Sequence, residues 1–225
     1  MWVNVMAGGA ARLPRHETRA RAGTCKDATG MTHAINIIKQ EHRNYLALLM
    51  CLEHLVADLK DSDPRAHCVL FHAIVDYIES FLDRYHHPKE DEYLFRALRE
   101  RHPDSEDLIR RLEQQHADGY DLLKELKAAL ENLEERGGPG MARFAEAAKT
   151  YQAHQYDHMR AEEMEVLPLA RKHLSAADWQ EIDAAFTAHD DPLFGDDRRA
   201  EYRKLYSKIV RMAPQPYGFG IKQGG

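Results

Sequence analysis

From Ile35 almost to His173 the apolar residues recur at steps of three and four, the spacing of one face of a helix, with no stretch of strand-like alternation. The first run, Ile35, Ile38, Tyr45, Leu49, Leu52, Val56 and Leu59, predicts a helix over about 33–60 with Thr32 as N-cap, and one polar residue, His42, interrupts its stripe. Asp63 followed by Pro64 predicts the start of a second helix reaching about residue 100, which His102 and Pro103 close. Asp104 or Ser105 then caps a third helix to about 135, and Gly137, Gly138, Pro139 and Gly140 form the clearest linker in the chain. A fourth helix follows to about His173, bent where Pro168 removes a backbone donor. Ser175 caps a short helix through about Thr187. Residues 197–212 form another, beyond the turn-rich stretch from Asp190 to Gly195.

The pattern repeats. A shift of 74 residues carries Ile35, Ile38, His42, Tyr45, Leu49, Leu52, Val56 and Leu59 onto Ile109, Leu112, His116, Gly119, Leu123, Leu126, Leu130 and Leu133, so a histidine breaks both stripes at the same step. A shift of 72 carries His86 onto His158 and Glu90 onto Glu162, and each glutamate is followed by an acid and then an apolar pair, Leu94–Phe95 or Val166–Leu167. Two helical hairpins related by an approximate twofold follow from this. Short connections between long helices make sequential neighbours antiparallel, so the expected fold is all-α: an antiparallel up-down-up-down four-helix bundle over 31–173 with a C-terminal helical extension over 174–225. Residues 1–30, with Arg12, Arg15, Arg19 and Arg21 among Ala and Gly, read as a disordered tail.

Composition narrows the class. A chain of 225 residues with 44% hydrophobic residues can build a substantial core, and a net charge of −6 gives no electrostatic reason to expect nucleic acid. No apolar run is long enough to span a membrane, and Cys25, Cys51 and Cys68 form no CxxC pair and read as reduced thiols, so a cytoplasmic location is expected. Histidine is the unusual component, with 14 copies.

A buried imidazole or carboxylate costs several kcal/mol unless something satisfies it. His42, His86, His116 and His158 with Glu90 and Glu162, on the inner faces of four helices, need a common partner, and a metal pair provides one. In each HxxxE pair the side chains project from adjacent turns of one face, so the imidazole can bind one cation while the carboxylate reaches across to a second. Divided evenly, each cation receives two imidazoles and one oxygen from each bridging glutamate, with positions left for solvent and an external ligand. Such a mixed nitrogen and oxygen set suits iron, with manganese or zinc as substitutes. Alternatives remain within the motif: His87 with Asp91 offers a competing register, and Glu163 could replace Glu162. Tyr120, one turn from His116, could be a ligand, a hydrogen-bond donor to a bound species, or a packing residue. Tyr45 opposite Gly119 could shape a ligand pocket, although close helix packing explains the glycine equally well. His154 could orient His158 or serve as a base on the access path.

Over about residues 33–173 these motifs, Glu41-His42-Arg43, His86-His87-Pro88-Lys89-Glu90, Gln115-His116 and His158-Met159-Arg160-Ala161-Glu162, resemble the hemerythrin-like family, the HHE cation-binding domain. The resemblance implies two non-haem iron ions joined by an oxo or hydroxo bridge, and small ligands such as dioxygen, peroxide or nitric oxide, in stress response or sensing. It also implies an alternative role in iron storage or donation for repair of damaged iron centres. If the chain is an enzyme, it would be a di-iron oxidoreductase of catalase or peroxidase type. Oxygen-carrying members place two histidines one turn apart on the third helix, whereas Leu112 and Tyr120 flank His116 here, so the set is closer to four-histidine, two-glutamate members and simple oxygen transport is not expected. The C-terminal extension, to which no chemistry is assigned, could pack across the bundle or against a second copy in a homo-oligomer.

Overall fold

The computed structural model describes residues 33–59, 65, 67–187, 204 and 207–213. The expectations for the N-terminal tail, Thr32, the Asp63–Pro64 helix start and the 190–195 turn fall outside them, as do residues 197–203 of the last expected helix. The described residues are all-α. Helix α1 spans His33–Asp58. Helix α2 runs over residues 68–101, α3 over Glu106–Arg136, α4 over residues 138–173 and α5 over Ala176–Thr187, with a 3-10 turn at Pro103–Ser105. A further helical stretch covers 207–212.

Helices α2 and α4 are not regular throughout. Helix α2 passes through wide π turns at Glu79–His86 and Glu90–Phe95, and α4 through one at Glu162–Val166. The N–H of His87 donates to the Leu82 carbonyl, and that of Leu167 to the Glu162 carbonyl, each five residues back. In both helices a π turn ends one residue before an X-Pro step, His87–Pro88 or Leu167–Pro168. Proline cannot donate to the carbonyl four residues back and its ring crowds that carbonyl, which favours the longer-span bond just upstream. The expected disturbance at Pro168 thus takes the form of a π turn, and Pro88 produces a matching one.

The join between α3 and α4 is tighter than the four-residue linker expected from sequence. Gly137 alone makes the turn, at φ 64°, a backbone conformation that glycine adopts without a Cβ penalty. Helix α4 already begins at Gly138 with Pro139 in its first turn, where a missing N–H costs nothing. A Cβ on Gly140 would stand 2.7 Å from the Asn132 carbonyl and 2.8 Å from Leu133 Cα, so glycine there lets the two backbones touch. The contacts then climb α4 as they descend α3: Gly140 on Leu133, Gly119 beside Gln155, and Arg111 paired with Glu165 at 2.9 Å. Ser105 precedes α3 as expected, but its hydroxyl donates back to the His102 carbonyl at 2.6 Å and caps no N–H of the helix.

Two apolar clusters fill the interior. One gathers Leu49, Leu52, Leu55, Phe71, Ile74, Ile78, Leu126, Leu130, Phe144 and Tyr151, together with Ile209 and Ala213 from beyond α5. The other gathers Ile35, Ile38, Leu94, Phe95, Leu98, Ile109, Leu112, Val166 and Leu167, and Trp179, Ile182 and Phe186 of α5 close it over. Ser175 and Asp178 form a reciprocal cap at the start of α5, the Ser175 N–H donating to Asp178 at 2.8 Å and the Asp178 N–H to the Ser175 hydroxyl at 3.3 Å. Asp183 accepts the Ala34 N–H at 2.7 Å, satisfying a donor in the first turn of α1 from the far end of the chain.

Candidate metal centre

Between the two clusters lies a layer of buried polar groups: His42, His86, His87, Glu90, His116, His158 and Glu162. All six residues singled out in sequence are in this layer, one each from α1 and α3 and two each from α2 and α4. Glu90 and Glu162 are each 1% exposed. Their four carboxylate oxygens are buried with no hydrogen-bond partner.

Each glutamate faces two directions. Glu90 turns Oε1 toward His86 Nε2 at 3.3 Å and Oε2 toward His116 Nε2 at 3.7 Å. Glu162 turns Oε2 toward His42 Nε2 at 3.2 Å and Oε1 toward His158 Nε2 at 3.4 Å. Two four-residue groups result, His42–His86–Glu90–Glu162 and Glu90–His116–His158–Glu162, each able to bring four donor atoms within 4.8 Å of one another. His116 and His158 hold their Nε2 atoms 3.2 Å apart. Cis nitrogens on one cation stand about 3 Å apart at bond lengths near 2.1 Å, so little adjustment is required. Unpartnered, deeply buried carboxylates flanked by imidazole nitrogens are what a pair of cations would satisfy, and the donor set fits the group expected from sequence.

The outer nitrogens of the imidazoles are also held. His42 Nδ1 donates to Glu163 at 3.0 Å, His86 Nδ1 to Glu41 at 2.8 Å and His116 Nδ1 to Asp91 at 2.9 Å. His158 Nδ1 points at the side-chain oxygen of Gln115 at 3.3 Å. These bonds fix each ring with Nε2 facing inward, as metal-ligating histidines require. Glu163 and Asp91, which sequence offered only as competing ligands, serve here as partners of ligand candidates, and Glu41 was not foreseen in either role. A signal was present: each of the four orienting residues is the immediate chain neighbour of one of the six, and the same internal repeat relates them.

The charges respond to this crowding. Burial and the charge of Glu162 hold the Glu90 carboxyl well above the usual carboxylate range. Burial opposes the charge on His42, but the facing carboxylates of Glu162 and Glu163 overcome it and raise its pKa to about 9. His116 is raised to about 9 in the same way, with Asp91 and Glu162 outweighing burial. Burial pushes His158 down to about 3 against the pull of Glu162. His87 also lies well below the ordinary value, through burial and then through the neighbouring imidazoles of His116, His158 and His86.

An open cleft of about 480 Å³, lined in part by Arg84, His87, Asp91, His116 and Tyr120, reaches the layer beside α3. Tyr120 is 46% exposed at its rim, with Lys124 Nζ 4.2 Å above its ring. Tyr45 is buried one turn from His42, its hydroxyl 2.7 Å from that of Tyr151. A Cβ on Gly119 would stand 2.9 Å from Gln155 Nε2 and 3.5 Å from His154 Nε2, so packing against α4 occupies that space. His154 Nε2 donates to the Gln115 carbonyl at 2.8 Å. Among the described residues no helix is long and apolar enough to cross a membrane.

A family description, hemerythrin HHE cation binding domain, matches residues 33–170, well over half of the chain. No curated protein and no solved structure matches it.

Proposed function

Because the chain belongs to the hemerythrin HHE cation-binding family, we propose that it is a non-haem di-iron protein that binds or reacts with dioxygen, peroxide or nitric oxide in stress response or sensing. The observation that carries this reading is the set of four buried, unpartnered oxygens of Glu90 and Glu162, each pair divided between two sets of imidazoles. In this reading His42 and His86 would hold one cation and His116 and His158 the other, and Glu90 and Glu162 would each supply an oxygen to both. The pairwise helix contacts support arranging α1–α4 as an antiparallel up-down-up-down bundle, with the residues beyond 173 as an extension. A mixed nitrogen and oxygen set with room for further ligands favours iron over the substitutes manganese and zinc.

Once bound, an iron pair supplies Lewis acidity and electrons to a small oxidant. The residues of the chain supply position and exclusion. Glu163, Glu41, Asp91 and Gln115 keep the imidazoles turned inward, and the two apolar clusters keep bulk water from both ends of the polar layer. The cleft beside His116 is wide enough for a diatomic ligand or peroxide, which would pass Tyr120 on the way in, while Tyr45, bonded to Tyr151 in the first apolar cluster, would act only from behind His42. The decisive experiment is metal analysis with an absorption spectrum of aerobically purified protein. Two irons per chain with near-ultraviolet oxo-bridge bands support the reading, and a preparation loaded with ferrous iron that retains no metal ends it. Adding peroxide and nitric oxide to the loaded protein then separates the ligands. The same cleft favours a second reading, storage or donation of iron, because it brings one cation position close to solvent. Transfer of iron to a metal-free iron–sulfur protein would support that role.

A further inference from the structure

Two buried glutamines face the interior from α4, and they differ in what they hold. Gln152 donates from Nε2 to the Leu49 carbonyl at 2.7 Å and ties α4 to α1. Gln155 is 2% exposed, yet its Oε1 is buried with no hydrogen-bond partner. A residue that only filled space would avoid this cost by being apolar, because an unmade bond on a buried polar atom is unfavourable.

The register of the α3–α4 hairpin fixes where this amide stands. His116 and His158 meet with their Nε2 atoms 3.2 Å apart. Gly119 follows His116 by three residues and Gln155 precedes His158 by three. In an antiparallel pair they form the next rung, on the same faces and about 4.5 Å along the axes. A Cβ on residue 119 would stand 2.9 Å from Gln155 Nε2, so glycine is what leaves the carboxamide its room. The amide thus lies one turn from the second half-site, on the side where Leu123, Leu126 and Tyr151 begin the first apolar cluster.

A carboxamide has an acceptor end and a donor end. A small ligand that satisfies both must offer an O–H group as well as a lone pair. Hydrogen peroxide does. Dioxygen and nitric oxide have no hydrogen to give and would leave the Gln155 oxygen orphaned. Water also matches the amide, and peroxide can replace it without losing either bond, whereas a diatomic ligand cannot. We propose that Gln155 is a positioning residue that makes hydrogen peroxide, rather than dioxygen or nitric oxide, the preferred ligand of the site. The inference rests on the two-cation reading above and narrows its ligand. Oε1 accepts the O–H of the peroxide and Nε2 donates to a peroxide oxygen, which holds the molecule on the side of His116 and His158. A buried group that bonds a ligand hydroxyl discriminates against analogues that lack one.

The test compares the iron-loaded full chain with Gln155→Met, which removes both polar ends and keeps an unbranched side chain. The KM for hydrogen peroxide should rise about tenfold, more than kcat falls, as expected for loss of a ligand hydrogen bond. Nitric oxide affinity of the ferrous protein, read by absorption, should stay the same or improve. Metal-free Q155M should melt at or above the wild-type temperature, since replacing an orphaned polar group by an apolar one of similar size is neutral or stabilising. An unchanged KM, equal weakening of peroxide and nitric oxide, or a wild-type protein that holds two irons and consumes no peroxide beyond free iron would each overturn the proposal. So would lower melting of both Q155M and Gln155→Leu, which would show the amide bonded within the fold; the second variant separates that result from a poor fit of methionine. Wild-type protein that binds no metal would instead remove the underlying two-cation reading.

Discussion

The two half-sites are built on the same plan and differ in charge at one of the four residues that orient their imidazoles. His42 leans on Glu163 and His116 on Asp91. The shift of 72 that relates helices α2 and α4 carries Asp91 onto Glu163. His86 leans on Glu41 and His158 on Gln115, and the shift of 74 that relates α1 and α3 carries Glu41 onto Gln115. Three of the four supports are carboxylates and the fourth is a neutral amide, 3.3 Å from its imidazole where the carboxylates stand at 2.8 to 3.0 Å. A carboxylate behind an imidazole raises the basicity of the nitrogen facing the metal, and an amide does so less. The symmetry of the proposed ligands would therefore conceal a difference in how firmly each cation is held. The cleft opens on the side supported by the amide, beside His116.

The harshest way to break the comparison is to remove a bridge. Glu162→Ala takes one oxygen from each half-site at once, so neither cation should survive gel filtration, as read by metal analysis. Exchanging the supports sharpens it. Gln115→Glu should tighten the His116–His158 cation and Glu41→Gln should loosen the His42–His86 cation, each by roughly ten- to a hundredfold in chelator competition. The double exchange should reverse which cation leaves first.

Protons give a gentler probe. In metal-free protein the pKa values of His42 and His116 are raised from 6.5 to about 9. Their stabilisation of the fold is thus complete below pH 6.5 and disappears as pH climbs through about 9. Chelated protein should lose stability to denaturant over that window. Loaded protein should hold its stability there, because loading has already displaced those protons, and it should release protons on binding at pH 7. Equal pH dependence with and without metal would contradict the placement of both histidines in the centre. The smallest effect belongs to Tyr45→Phe, which removes the bond to Tyr151 inside the first apolar cluster and should cost about 1 kcal/mol in thermal unfolding.

The six inward groups were legible because the repeat put polar residues at matching steps of apolar stripes, and a stripe interruption is a burial problem that sequence can display. The supporting residues were less legible for a reason of helix geometry. Glu41 and Gln115 each precede a histidine, and Asp91 and Glu163 each follow a glutamate, so on an α-helix each points about 100° away from its neighbour and serves an imidazole on another helix. Chain proximity thus names the wrong partner, and only packing pairs Glu41 with His86. The π turns escaped more narrowly: Pro88 stands after the turn at Glu79–His86 as Pro168 stands after that at Glu162–Val166, but a proline marks only where a helix is disturbed, and the longer-span hydrogen bond that results is a matter of backbone geometry. The Gly137–Gly140 join was legible as a break, though its shortness depends on Gly140 meeting the backbone at Leu133, a contact written in three dimensions.

The bond from the Ala34 amide to Asp183 joins points 149 residues apart. The α3–α4 hairpin closes across one glycine, but this seam can form only after everything between its ends exists, and such distant closures come late. On a ribosome the apolar face of Ile35 and Ile38 would wait for Trp179, Ile182 and Phe186 to emerge. A nascent chain halted near residue 175 would carry every proposed metal ligand and still lack its last wall.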